Sequence, residues 1–62
     1  MGHKCSNACQ EANDMLVKER HTWPLIGKAA AADDRNDQDT AETYMEVARA
    51  AEKQGWPRHK PL

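Results

Sequence analysis

Asp39-Thr40-Ala41-Glu42-Thr43-Tyr44-Met45-Glu46-Val47-Ala48-Arg49-Ala50-Ala51-Glu52-Lys53-Gln54-Gly55-Trp56-Pro57 carries a complete set of helix punctuation. Asp39 with Glu42 three residues on matches a capping box, in which the two side chains satisfy free backbone N–H groups of the first turn. Ala41, Tyr44, Met45, Ala48 and Ala51 recur at spacings of three and four, so they share one helical face, with Val47 on its flank. Gly55 stands where a left-handed residue ends a helix, Trp56 where the accompanying hydrophobic contact is made, and Pro57 forbids continuation. The spacing predicts a helix over 40–54.

Upstream, Pro24 suits the first turn of another helix, because its missing N–H is one that a helix start leaves unpaired anyway. The residue before a proline is pushed out of the helical region, so Trp23 is expected to be extended, with Thr22 or Trp23 in the cap region. Leu25, Ile26, Ala29 and Ala30 mark an apolar face over 24–35. Gly27 and Ala31, four apart, would allow a neighbouring helix to come close. Asn36-Asp37-Gln38-Asp39 reads as a break, since these side chains compete with the helix for backbone hydrogen bonds. Further upstream, Asn7 with Gln10 matches a second capping box for a helix over 6–20, and Cys5, Ala8, Cys9, Ala12, Met15 and Leu16 fall at spacings of three and four that put them on one face.

These segments place the chain in the all-α class: a small three-helix chain (about 6–20, 24–35 and 40–54). Its last two helices are expected to form an antiparallel hairpin, completed by oligomerisation or a partner. Residues 1–56 read as a single small helical domain and 57–62 as a basic, disordered tail.

Composition explains why completion is expected. Hydrophobic residues make up 39% of the 62, and ten of them are alanine. A chain near this length buries only about 60% of its unfolded surface. A single core of this size supplies roughly 3–5 kcal/mol. Charge is uneven although the net is −1. Residues 29–46 hold six acids against Arg35 alone, whereas 47–62 hold four Lys/Arg against Glu52 alone. The middle therefore offers an acidic surface and the C-terminal end a basic one.

Several functional classes are disfavoured by the same residues. No serine-nucleophile elbow, phosphate loop or zinc-protease helix motif is present, so no enzymatic activity is expected. The acidic run Asp33–Asp39 fails the calcium-loop pattern, which needs Gly at its sixth position and Glu at its twelfth. The last predicted helix alternates acids and bases, which makes a poor DNA-reading helix. Trp56 beside Arg58, His59 and Lys60 mixes stacking with charge as single-strand binders do, but Trp56 is accounted for by the helix stop and the tail by solvation, so nucleic acid is not the expected partner. No run approaches the length of a membrane span and no secretory leader is evident. A cytoplasmic location is expected, with both cysteines as thiols.

Two functional expectations remain. The first is a small non-enzymatic helical module that binds a protein partner or a second copy of itself as a homodimer, regulating or inhibiting a larger protein, in the manner of phage or plasmid regulators. Its anchors would be Trp23, Leu25, Ile26, Tyr44, Met45, Val47 and Trp56, because large apolar and aromatic groups dominate interface energetics. The second is a zinc-stabilised small domain binding nucleic acid or protein. His3, Cys5, Cys9 and His21 would make up the four ligands of a tetrahedral site. Such a site would supply about 10–16 kcal/mol of apparent binding energy to a thin core.

Overall fold

The structure is a computed structural model that describes residues 7–60. Three helices follow one another: α1 (Asn7–Glu19), α2 (Trp23–Asp34) and α3 (Gln38–Lys53). No strand occurs among the described residues. α2 and α3 pack most closely, and α1 touches both, α3 more extensively than α2. The all-α class and the three segments follow the sequence reading, and α1 and α2 are separate helices, divided at Arg20–Thr22.

Each helix ends on a residue with positive φ: Arg20 (67°), Asn36 (63°) and Gly55 (105°). After α3, the Gly55 N–H donates to the Glu52 carbonyl at 3.1 Å and the Trp56 N–H to the Ala51 carbonyl at 3.0 Å. That is the paired closure expected of Gly55 and Trp56. After α2 the same closure is made by Asn36 N–H on Asp33 (3.0 Å) and Asp37 N–H on Ala32 (2.9 Å). α1 closes with a single bond, from the Arg20 N–H to the Leu16 carbonyl at 2.7 Å. Asparagine tolerates the left-handed region through its short polar side chain. Arginine does not, and the conformation costs it about 1–2 kcal/mol. The next two residues, His21 and Thr22, are buried.

Three local expectations are corrected. Asp37, not Asp39, caps α3, and its side chain accepts from the Thr40 N–H at 3.4 Å. The break is accordingly Arg35–Asp37, and Asp39 lies in the first turn, where its charge complements the helix dipole. Trp23 is helical rather than extended. The cap position belongs to Thr22, whose backbone is already near-helical (φ −93°, ψ −9°) and whose side chain makes no cap bond. Asn7 is itself helical rather than a cap before the helix, and the residues ahead of it lie outside those described.

The core takes Ala12 and Leu16 from α1, Leu25 and Ala29 from α2, and Tyr44, Ala48 and Ala51 from α3. Ala8, Met15, Ile26, Met45, Val47 and Trp56 pack around it, half-buried. Alanine dominates because the helix backbones approach closely where the side chain is one methyl. The Gly27–Ala31 pair takes no part: both are exposed, and a Cβ at Gly27 would meet nothing within 4 Å.

The two helix-associated glycines should therefore respond in opposite directions to the same substitution. Gly27→Ala adds helix propensity at an open position and is expected to stabilise the chain by about 0.5–1 kcal/mol. Gly55→Ala also meets nothing within 4 Å, but it forces an L-residue to φ 105° and should destabilise by roughly 1–2 kcal/mol. Urea midpoints of the two variants, measured against the parent, check the signs.

Candidate functional site

α2 and α3 leave an open groove of about 560 Å³ between them. Ile26, Ala29 and Ala30 from α2 and Ala41 and Met45 from α3 give it apolar walls. Asp33, Glu42 and Glu46 add three carboxylates, with Gln38 and Arg49 completing the lining. The helical repeat explains the mixture. On α3, Ala41 and Met45 are one turn apart, and Glu42 and Glu46 follow each by one residue, so charge borders the apolar strip.

The expected anchors are dispersed. Ile26 and Met45 line the groove. Leu25 (0% exposed) and Tyr44 (5%) are buried inside the chain, covered by its own helices. Burial, with the charge of Glu11 adding and that of Arg35 opposing, holds the Tyr44 phenol above its ordinary pKa. Val47 and Trp56 are half-buried against the same core. Trp23 is the most exposed of the seven anchors, at 50%, and is not part of the groove lining.

Trp23 belongs to a second cluster that the sequence reading did not foresee. The backbone N–H groups of Thr22 and Trp23, unpaired by helix geometry, donate to the carbonyls of Pro57 (3.0 Å) and Arg58 (2.8 Å). The Thr22 hydroxyl donates to Glu52 Oε2 at 2.7 Å. Arg58 donates through Nε to Glu52 Oε2 and through Nη2 to Oε1, both at 3.2 Å. The His59 ring lies 4.6 Å from the Trp23 ring, tilted by 39°. Residues 57–59 are thus placed against the start of α2 by these contacts. The free N–H groups at a helix start and the one carboxylate in a basic stretch each needed a partner, and Pro57 and Arg58 supply both. The sequence did hold one signal, the isolation of Glu52 among four bases.

Hydrogen bonds from Arg58 and then Thr22 hold the Glu52 carboxyl below its ordinary pKa of 4.5, with partial burial opposing and the Arg58 charge assisting. A carboxyl with a depressed folded-state pKa contributes stability that is fully present above the unfolded value and is lost as pH falls through the folded one. Amide protection at Thr22 and Trp23 should therefore be level from neutral pH to about pH 5 and fall below it. Glu52→Gln should remove that step. Hydrogen exchange followed by NMR across this range checks both; a step that survives Glu52→Gln would assign it to another group.

Of the proposed zinc ligands, His3 and Cys5 lie outside the described residues. Cys9 is disulfide-bonded, where the cytoplasmic reading expects a thiol, and only the reduced form could offer zinc a thiolate. His21 is 7% exposed, its Nδ1 buried without a hydrogen-bond partner and its Nε2 4.0 Å from a Glu19 carboxylate oxygen. Among the described residues no group of three or more His, Cys, Asp or Glu side chains is arranged to hold a metal ion. No helix among them is long and apolar enough to cross a membrane. Compared with known protein families, curated proteins and solved structures, the chain matches none.

Proposed function

We propose that this chain is a small helical protein-interaction module, acting by binding rather than by chemistry, and that the α2–α3 groove receives an amphipathic helix of a partner protein. The observation that carries this reading is the groove's composition: apolar walls bordered by Asp33, Glu42 and Glu46. A helix with an apolar stripe and Lys or Arg along one flank is the complement, the stripe supplying affinity and the bases fixing orientation. Ile26 and Met45 are the contact residues with the largest apolar side chains, and methionine adapts readily to an incoming side chain. A regulatory or inhibitory role on a larger protein fits a module of this size. In the cytoplasm, where the proposal places it, Cys9 would be kept reduced.

The test is capture of a partner from source cells by the tagged chain, compared with capture by Glu42→Lys/Glu46→Lys and by Met45→Asp. Expected is one protein retained by the parent, lost with both variants, and released by moderate salt. A partner retained equally by all three would remove the groove from the account. Sedimentation of the purified chain at micromolar concentration separates this reading from homodimerisation, which would show as twice the mass.

A further inference from the structure

We propose that the start of α2 and the end of α3 together form a seat for an extended Pro-Arg segment of a partner protein, and that residues 57–59 of this chain fill that seat in cis. The seat shares no lining residue with the groove, so this inference does not depend on the groove reading.

Three features define the ligand chemistry. The N–H groups of Thr22 and Trp23 donate to two successive carbonyls, those of Pro57 and Arg58, so the seat reads a peptide backbone. Its two backbone contacts both take carbonyls, which suits proline, a residue with no N–H to offer. Glu52 receives a guanidinium through both oxygens, a forked geometry that lysine does not reproduce. The Trp23 ring takes the ring of the residue that follows, here His59.

The seat is buried at its base while its occupant lies on the surface. Thr22 is fully buried, and its hydroxyl, 2.7 Å from Oε2, orients the Glu52 carboxylate before any arginine arrives. Pro57, Arg58 and His59 are all exposed, and the Arg58 side chain is 59% accessible in its ion pair. Exposed ion pairs hold their partners weakly. Trp23 stays half-exposed even beneath His59, which leaves room for a larger ring. A segment delivered by another protein can therefore displace the chain's own. A second copy is the less suited source. Trp56 packs against the core, and the three residues beyond it span only about 10 Å when extended. That reach would require two seats to be in direct contact.

The test uses the full chain and a capped synthetic peptide, Gly-Trp-Pro-Arg-His-Lys, copied from residues 55–60, followed through the backbone amide resonances of Thr22 and Trp23. In Arg58→Ala the cis segment is loosened and the seat opens. The peptide should then shift both amides saturably, with an affinity about tenfold above that for the parent if the parent seat is closed about ten times as often as it is open. Adding Glu52→Gln to Arg58→Ala should abolish the shift. Should Arg58→Ala lose helicity, His59→Ala, which removes only the ring contact, takes its place with the same expected direction. Absence of a saturable shift at millimolar peptide in the opened chain, or equal affinity for opened and parent chains, would overturn the proposal. Sedimentation showing that Arg58→Ala pairs with itself before peptide is added would give the seat to a second copy and overturn its assignment to a partner.

Discussion

Leu25→Ala is expected to leave most of the chain unfolded at 25 °C. Leu25 is 0% exposed and is the largest of the fully buried side chains. Truncating such a leucine costs about 2–5 kcal/mol, the lost transfer energy plus a term for the cavity that remains. A core in a chain this short supplies roughly 3–5 kcal/mol in total, so one substitution consumes most or all of it. Four of the seven residues in its cluster are alanines, whose single methyls have no rotamer with which to fill the space. Circular dichroism at 222 nm through a urea titration reads the loss. Val17→Ala, at a position 61% exposed on α1, is the matched control and should shift stability by less than about 0.5 kcal/mol. Comparable midpoints for the two variants would show that Leu25 does not organise the core.

The second large effect is expected from adding volume. Ala48 on α3 is 1% exposed within the cluster that also holds Ala12 and Ala29. Leucine there inserts three carbons where there is no space, and overpacking of this kind costs typically 1–3 kcal/mol through displaced backbones and strained rotamers. Leu16, Leu25 and Tyr44 share that cluster, so the added carbons must displace large side chains as well as backbone. Ala50→Leu, two residues along the same helix at an exposed position, keeps the propensity change and omits the packing change. The expected result is a chain with lowered urea midpoint and broadened NMR resonances for Ala48→Leu and an unperturbed one for Ala50→Leu. If both behave like the parent, the helices are farther apart than an alanine core requires.

Both effects arise from residues that a reading of composition undervalues. Alanine at 12, 29, 48 and 51 signals easy helix formation, and on that ground the core was expected to be incomplete. In the folded chain these methyls are the reason that three short helices can share one core around Leu16, Leu25 and Tyr44. Leu25 and Tyr44, taken from the sequence as anchors for a partner, are covered by the chain's own helices. Periodicity identifies an apolar face but cannot tell whether another part of the same chain or a different protein will cover it.

Local chemistry was legible where one residue type decides the backbone. Gly55-Trp56-Pro57 ended α3 as its residues require, because glycine alone adopts positive φ without cost and the following tryptophan has a helix face to pack on. The ends of α1 and α2 were less legible, since arginine is an unfavourable left-handed residue and asparagine only a tolerant one, so neither Arg20 nor Asn36 dictates a stop as glycine does. Asp37 and Asp39 are chemically equal candidates for the α3 cap. The closure of α2 at Asn36 brings Asp37 to the position from which its carboxylate reaches the Thr40 N–H.

What the sequence determined by itself is the helical class, the number of helices and the stop after α3, because each rests on periodicity or on the conformational limits of a residue and its nearest neighbours. What only the tertiary structure decided is the fate of the side chains and of residues 57–59. Thr22, Glu52 and Arg58 are separated by up to 36 positions yet meet through hydrogen bonds of 2.7–3.2 Å, and the carboxylates of Asp33, Glu42 and Glu46 come to line one groove from two helices. Such meetings depend on the relative placement of helices. Many weak packing contacts set that placement together, and no local window of sequence contains them.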